Sequence, residues 1–418
     1  MKKKLSLSPV EKTSIIIFLM CFISYMIIGM TRNTYSAAIA TLTSEGILSK
    51  PDAGSINFGF YLVYGIAQVF GGVLADRISP FKLLFAGIIG ALISNAIMAT
   101  SGSYPVMFIA WTFNGLTQFG VFPAIIKILA SHLVTEHKAK SRAYIGYAYS
   151  IGAVMSYFLA IVIQIKWSWR ALFISSVLFL IADIFFYVYG LRRLKRVPVP
   201  VEEAPVTQKT VESAPTSSVS IWKLLIPSGL VFMTVAGFSR CMLDLGVKSW
   251  TPTMMIENYP VPVSLANSLS IILLIVNMSG IFLATFLYPK KINNPALIMG
   301  ILFLICIPLL CLLLPLGKTP LVIVTMVLMT STTLMTTVSQ ITNFAVPLAF
   351  AKYGKAGTVA GFLNLFSCFG IMLASWLYGY IAENFGWITN ICVWIGVGTI
   401  ACISCFIATP LWSRFIKK

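Results

Sequence analysis

Charge is what this sequence has least of. Asp, Glu, Lys and Arg together make up 10% of its 418 residues, where soluble domains average roughly 25%. A water-soluble fold of this length could not cover its surface with so few charges, so that class is excluded. Carboxylates are the scarcest: 12 Asp and Glu stand against 30 Lys and Arg. No Walker lysine, phosphate-cradling glycine loop or catalytic triad occurs, so ATP-driven transport and enzyme chemistry are excluded and no cofactor is expected. Cysteine carries no redox signature either. Cys21, Cys241, Cys306, Cys311, Cys368, Cys392, Cys402 and Cys405 all fall within or at the ends of apolar runs. Cys402 and Cys405 form a CxxC without a His or second CxxC nearby, so they read as small packing residues.

Hydrophobic residues fill 58% of the chain, enough for a lipid-facing surface. A spanning helix needs about 20 mostly apolar residues. Runs of that kind fall near 13–40, 54–76, 82–102, 105–131, 143–165 and 170–191, then near 222–248, 264–288, 295–316, 321–347, 356–381 and 388–411. The basic start and the apolar stretch from Ile15 lack a small-residue cleavage site, so an uncleaved first helix is expected. Residues 192–220 are rich in Pro, Glu, Ser and Thr without a hydrophobic period, and read as a cytoplasmic flexible linker. The expected fold is thus all-α, with twelve transmembrane helices in two six-helix bundles, 1–191 and 221–418.

The net charge of +18 could suggest nucleic acid, but its placement does not. Lysines and arginines sit in short clusters between apolar runs, with no aromatic-interleaved basic face. With the N-terminus inside, only Lys50, Lys166, Arg170, Lys248 and Lys318 fall outside, and Arg32, Lys127 and Arg240 fall within spans. Every other Lys and Arg falls inside. This positive-inside asymmetry predicts a multi-pass protein of a bacterial-type cell membrane with both termini cytoplasmic.

The halves also look alike: WSWRALF (Trp167–Phe173) opens the sixth span and FGWITNI (Phe385–Ile391) the twelfth. Two such halves imply a cavity between them and alternating access. Charge inside a span is costly, so intramembrane ionisable residues are the best functional candidates. Arg32 lies in the first span and Arg240 in the seventh, the first span of each half. Pseudo-symmetry would set them across the cavity, where each guanidinium can hold a phosphate or carboxylate as a bidentate fork. The pair predicts a small anionic substrate. Asp244, four residues after Arg240, can pair with it along one face and couple transport to ions. Asp183, in the sixth span, is a second coupling candidate. Tyr35 is one turn from Arg32, and Tyr64 and Gln68 share a face. Tyr61, Asn114, Gln118, Tyr149, Asn343 and Asn364 complete a polar pocket by position. Lys127 sits near a span end and can snorkel, and His132 and His137 fall at or beyond that end. Pro123, Pro252 and Pro347 predict bends.

Several motifs carry a resemblance. GGVLADRISPFK (Gly71–Lys82) resembles the signature loop of the major facilitator superfamily, with Ser79 and Pro80 in place of its usual Gly-Arg. The resemblance implies that Asp76 and Arg77 latch the cytoplasmic side. MTRNTYSAAIATL (Met30–Leu42), VYGIAQVFGG (Val63–Gly72), NGLTQFGVFPAIIKILASHL (Asn114–Leu133) and SRCMLDLGVKSWTPT (Ser239–Thr253) are similar to segments of the organophosphate:phosphate antiporters. Tyr64 falls on a binding tyrosine of that family. Gln68 stands where that family carries Lys, Tyr149 about where it carries His, and Arg240 lies one turn further from Trp250. The second span also resembles the anion:cation symporters of sugar acids and carboxylates. The resemblance implies a monomeric secondary transporter in the lipid bilayer, exchanging organophosphate for inorganic phosphate, or a proton- or sodium-coupled carboxylate symporter. A transporter-like sensor of sugar phosphates would keep the same pocket. An exporter of drugs or lipids would instead have an apolar cavity and tolerate loss of Arg32.

Overall fold

The computed structural model describes residues 8–164, 166–197, 225–288, 292–350, 353 and 355–417. Most of the expected 192–220 linker lies outside the described residues. The described residues are almost wholly helical and form no strand. The helices are α1 (Pro9–Ser44), α2 (Lys50–Arg77), α3 (Pro80–Thr100), α4 (Tyr104–Gln118), α5 (Val121–Ser131), α6 (Thr135–Gln164) and α7 (Trp169–Arg196). They continue as α8 (Leu230–Cys241), α9 (Val247–Asn258), α10 (Val263–Asn277), α11 (Ser279–Leu287), α12 (Pro295–Cys311), α13 (Leu321–Gln340), α14 (Val346–Ala349) and α15 (Ala356–Lys417). Among the described residues, 9 helical stretches are long and apolar enough to cross a membrane. The last of these contains two expected spans. It breaks at Gly386, whose φ of 79° is a left-handed conformation that glycine adopts without a Cβ clash.

Local chemistry sets the helix boundaries. The backbone N–H of Glu11 donates to Ser8 Oγ at 3.2 Å and that of Ser8 to Glu11 Oε2 at 2.7 Å, a capping box on α1. Ser49 and Asp52 serve the start of α2, where the Asp52 N–H donates to Ser49 Oγ at 3.2 Å. Two of the three prolines expected to bend helices interrupt them. A proline cannot donate to the carbonyl four residues back and crowds it. For Pro123 that carbonyl is on Phe119, where α4 gives way to α5. For Pro347 it is on Asn343, inside a π turn over Ile341–Ala345. A second π turn, Met242–Gly246, joins α8 to α9, which carries Pro252 within it.

The chain divides into two compact units, Met1–Tyr35 with Phe70–Lys209, and Ser36–Val69 with Thr210–Lys418. In the first, Ile17, Met20, Ile27 and Ile28 of α1 pack with Leu84, Ile88, Ile125, Ile128 and Leu180 in one buried cluster. Small residues permit the approach: a Cβ on Gly90 of α3 would collide with Thr117 of α4, and one on Gly152 of α6 with the Met26 carbonyl of α1. In the second unit, α8 and α12 pack along α15. The start of α2 is held there by charge and close contact together. Lys50 Nζ lies 3.0 Å from Glu257 of α9 and 3.5 Å from Glu383 of α15. Trp387 Nε1 donates to Glu257 at 2.7 Å, and Trp250 Nε1 donates to the Ser375 carbonyl at 3.1 Å.

Gly54 and Gly379 make that seam possible. A Cβ on Gly54 would enter the Ser375 carbonyl, and one on Gly379 would stand 2.5 Å from the Lys50 carbonyl and 2.6 Å from the Trp250 ring. Gly357 and Gly361 face open space. Overpacking a tight contact costs about 1–3 kcal/mol. Gly54→Ala and Gly379→Ala are therefore expected to lower the thermal midpoint of the purified protein clearly, with Gly357→Ala and Gly361→Ala near wild type. Equal midpoints for all four would remove the close seam from the account.

Candidate functional site

In the first unit, Arg32 is half-buried on α1. Its neighbour Asn33 donates from Nδ2 to the Gly29 carbonyl at 2.7 Å and to Tyr149 Oη at 3.4 Å. Tyr149 also packs its ring 5.7 Å from that of Tyr25. The α1 turn carrying Arg32 is thereby tied to α6 through Tyr149, which the sequence placed in the pocket, and through Asn33, which it did not single out. Tyr35 is fully buried against Trp111, with ring centroids 5.3 Å apart. Asn114 and Gln118 are buried too, and Gln118 Nε2 donates to Asn114 Oδ1 at 2.6 Å. In this conformation these three are packing residues of the unit's interior. Asn114 Nδ2 and Gln118 Oε1 nevertheless have no hydrogen-bond partner among the described residues.

Asp183 is 1% exposed on α7. Ser24 of α1 donates to its Oδ1 at 2.8 Å, and its Oδ2 has no hydrogen-bond partner among the described residues. A buried carboxylate with one neutral donor contributes little stability through pairing and much through the cost of removing that donor. His132 follows α5, packed edge-on against Phe81 with centroids 5.0 Å apart. Burial holds its imidazole below its ordinary pKa, against a smaller opposing effect of its backbone hydrogen bond to Ile128. The side chains of Asp76, Arg77 and His137 lie outside the described residues.

The second unit gathers more of the expected residues. Tyr61 and Tyr64 both pack on Phe60, at 5.1 and 5.9 Å between centroids. Gln68 Nε2 donates to Tyr64 Oη at 2.7 Å, and Asn364 Nδ2 of α15 donates to Gln68 Oε1. Tyr64 and Gln68, one turn apart, thus join the distant Asn364 in one hydrogen-bonded chain, whose amides and hydroxyl can serve oxygen-rich ligands. Asn343 lies in the Ile341–Ala345 turn, with Nδ2 3.3 Å from Ser339 Oγ.

Arg240 closes α8, 6% exposed. Its Nη2 donates to Ser367 Oγ of α15 at 3.3 Å, and its Nε has no acceptor among the described residues. Asp244, in the π turn, makes its ion pair with Lys248 one turn onward, not with Arg240. Lys248 was read from sequence as an outer charge at the end of a span over 222–248. The helical run continues past it, from Leu230 to Asn258. The apolar residues Trp250, Met254, Met255 and Ile256 were the signal for that extension. Ser367, a small hydroxyl among many, carried none.

The comparisons with known proteins agree with this architecture. The family model described as Major Facilitator Superfamily matches residues 21–375. The chain belongs to the major facilitator superfamily and is a multi-pass membrane protein with that family's twelve-helix fold. A Chlamydia trachomatis protein named "Probable hexose phosphate transport protein" is 24% identical over 394 residues, covering 89% of this chain and 85% of that one. "Membrane sensor protein UhpC" of Escherichia coli is 23% identical over 170 residues, which is 40% of this chain and 39% of that protein. Among solved structures, a D-xylose-proton symporter superposes with a TM-score of 0.72 at 15% identity, covering 94% of this chain and 97% of that one; this likeness concerns the fold.

The Ser24–Asp183 contact yields a direct test. Asp183→Asn retains an acceptor for Ser24 and is expected to change stability by less than about 1 kcal/mol, whereas Asp183→Leu strands the hydroxyl and costs about 1–3 kcal/mol. Thermal unfolding of the two purified variants checks it. A leucine variant as stable as wild type would show that the contact contributes nothing.

Proposed function

We propose that the chain is a secondary active transporter of a small organic anion, working by alternating access and exchanging an organophosphate for inorganic phosphate. The observation that carries this reading is a buried guanidinium without a carboxylate partner among the described residues. Arg240 has a serine for its hydrogen-bond partner, and its one neighbouring acid on the same helix is engaged by Lys248. Burying such a charge at depth costs about 2.5–3.5 kcal/mol on insertion scales. An incoming anion offsets that cost with charge-assisted hydrogen bonds to the guanidinium. The hexose phosphate transport name of the C. trachomatis relative supports a phosphate ester as cargo.

A second reading has its own support. The Tyr64–Gln68–Asn364 chain is neutral, and neutral amides suit the hydroxyls of a sugar acid. A singly charged carboxylate needs less positive charge than a phosphate, and its uptake would be driven by protons or sodium through Asp244 or Asp183. The similarity to UhpC raises sensing as another outcome. On each reading both termini face the cytoplasm, residues 1–191 and 221–418 form the two six-helix bundles, Asp76 and Arg77 form a cytoplasmic latch, and the protein acts as a monomer.

Counterflow in proteoliposomes separates these readings. Exchange of labelled inorganic phosphate for a sugar phosphate supports antiport, flux that responds only to a proton or sodium gradient supports symport, and binding without flux supports sensing. Arg32→Lys is expected to lose about tenfold or more of transport despite its retained charge, because an ammonium cannot reproduce the guanidinium fork. Near-normal transport by that variant would remove Arg32 from the binding site.

A further inference from the structure

The span over Leu230–Asn258 stacks Arg240, Asp244 and Lys248 on successive turns, with a π turn between the first and the last. All three are deeply packed: Arg240 and Asp244 are 6% and 5% exposed, and the Lys248 side chain 11%. Lys248 stands ten residues before the helix end at Asn258. On an exposed helix surface an Asp-to-Lys pair at this spacing is a minor stabiliser. Packed among other helices the same pair is a poor way to gain stability, because apolar residues of similar volume do as well or better. A structural purpose would also call for neutrality, yet the three residues carry two positive charges and one negative. π turns recur at functional sites.

Asp244 lies four residues from each cation. It engages Lys248, leaving Arg240 with Ser367. We infer that Lys248 is a specificity-determining cation for the anion site, masked by Asp244 and engaged only by substrates with a second negative charge. This rests on the anion-transport reading above. A singly charged carboxylate satisfies Arg240 and leaves the Asp244–Lys248 pair closed. A phosphomonoester, which carries between one and two negative charges near neutral pH, can compete with Asp244 for the ammonium. Arg240 and Lys248 are about 12 Å apart along the axis by helical rise, and their long side chains can converge on a ligand lying along the span. The acid between them thus sets how much negative charge the site favours.

The test uses the purified full-length protein and two probes of similar size, glucose 6-phosphate and gluconate. Dissociation constants are measured by calorimetry for wild type, Lys248→Met, Lys248→Arg and Asp244→Asn. In Lys248→Met the preference for the phosphomonoester over the sugar acid is expected to fall about tenfold or more, as for loss of one charge-assisted bond. Lys248→Arg should restore the preference, and Asp244→Asn, which unmasks the lysine, should raise it. An unchanged ratio in Lys248→Met, or a fall of similar size in Asp244→Asn, overturns the inference, since a merely structural pair would affect both probes alike. Wild-type protein that binds only gluconate overturns it while leaving the organic-anion reading intact. Wild-type protein that binds neither probe removes that reading as well.

Discussion

Hydrocarbon cannot solvate a charge or an unpaired peptide group, and nearly every feature of this protein answers to that limit. Backbone groups are satisfied within helices, so the described residues contain no strand. Where a proline removes a donor, the break falls at a proline-crowded carbonyl: the α4–α5 junction before Pro123 and the π turn before Pro347. Charges are correspondingly few, and those that remain inside the spans are concentrated near polar partners.

The same limit changes what holds helices together. Between lipid-bathed helices there is little hydrophobic driving force, so close packing and hydrogen bonds carry the association. Gly90 against Thr117 and Gly152 against the Met26 carbonyl in one unit, and Gly54 and Gly379 in the other, bring backbones near enough for dispersion contacts to add up. Beside Gly379, Lys50 adds ion pairs to Glu257 and Glu383. These pairs are partly exposed, so their contribution is modest and the tight seam beside them matters more.

Against this background the proposed anion site rests on how packing pairs its charges. Arg240 Nε has no acceptor among the described residues, while Asp244 serves Lys248. Tyr64, Gln68 and Asn364 form a polar chain across two helices. Tyr35, Asn114 and Gln118, chosen by their position on the expected cavity helices, are buried in the interior of their unit. Helical position selects a face, but the neighbour against that face decides whether it meets a ligand or a tryptophan, as Trp111 meets Tyr35.

The membrane class, the order of apolar runs, the helix interruptions at Pro123 and Pro347, and the two arginines in the first and seventh apolar runs are all legible in the amino-acid sequence. These follow from composition, run length and residue chemistry, which need only near neighbours along the chain. Helix ends were less legible, because an apolar run is continuous in hydropathy while a helix end is set by capping and packing; the helix carrying Lys248 runs on to Asn258 for that reason. Only the tertiary structure decided that Asp244 holds Lys248 and leaves Arg240 to Ser367. Both cations lie one turn from the same carboxylate, so spacing alone allows either pair. The π turn at Met242–Gly246 alters the helical register, and the approach of α15 supplies Ser367, and neither is encoded in the spacing of three charged residues.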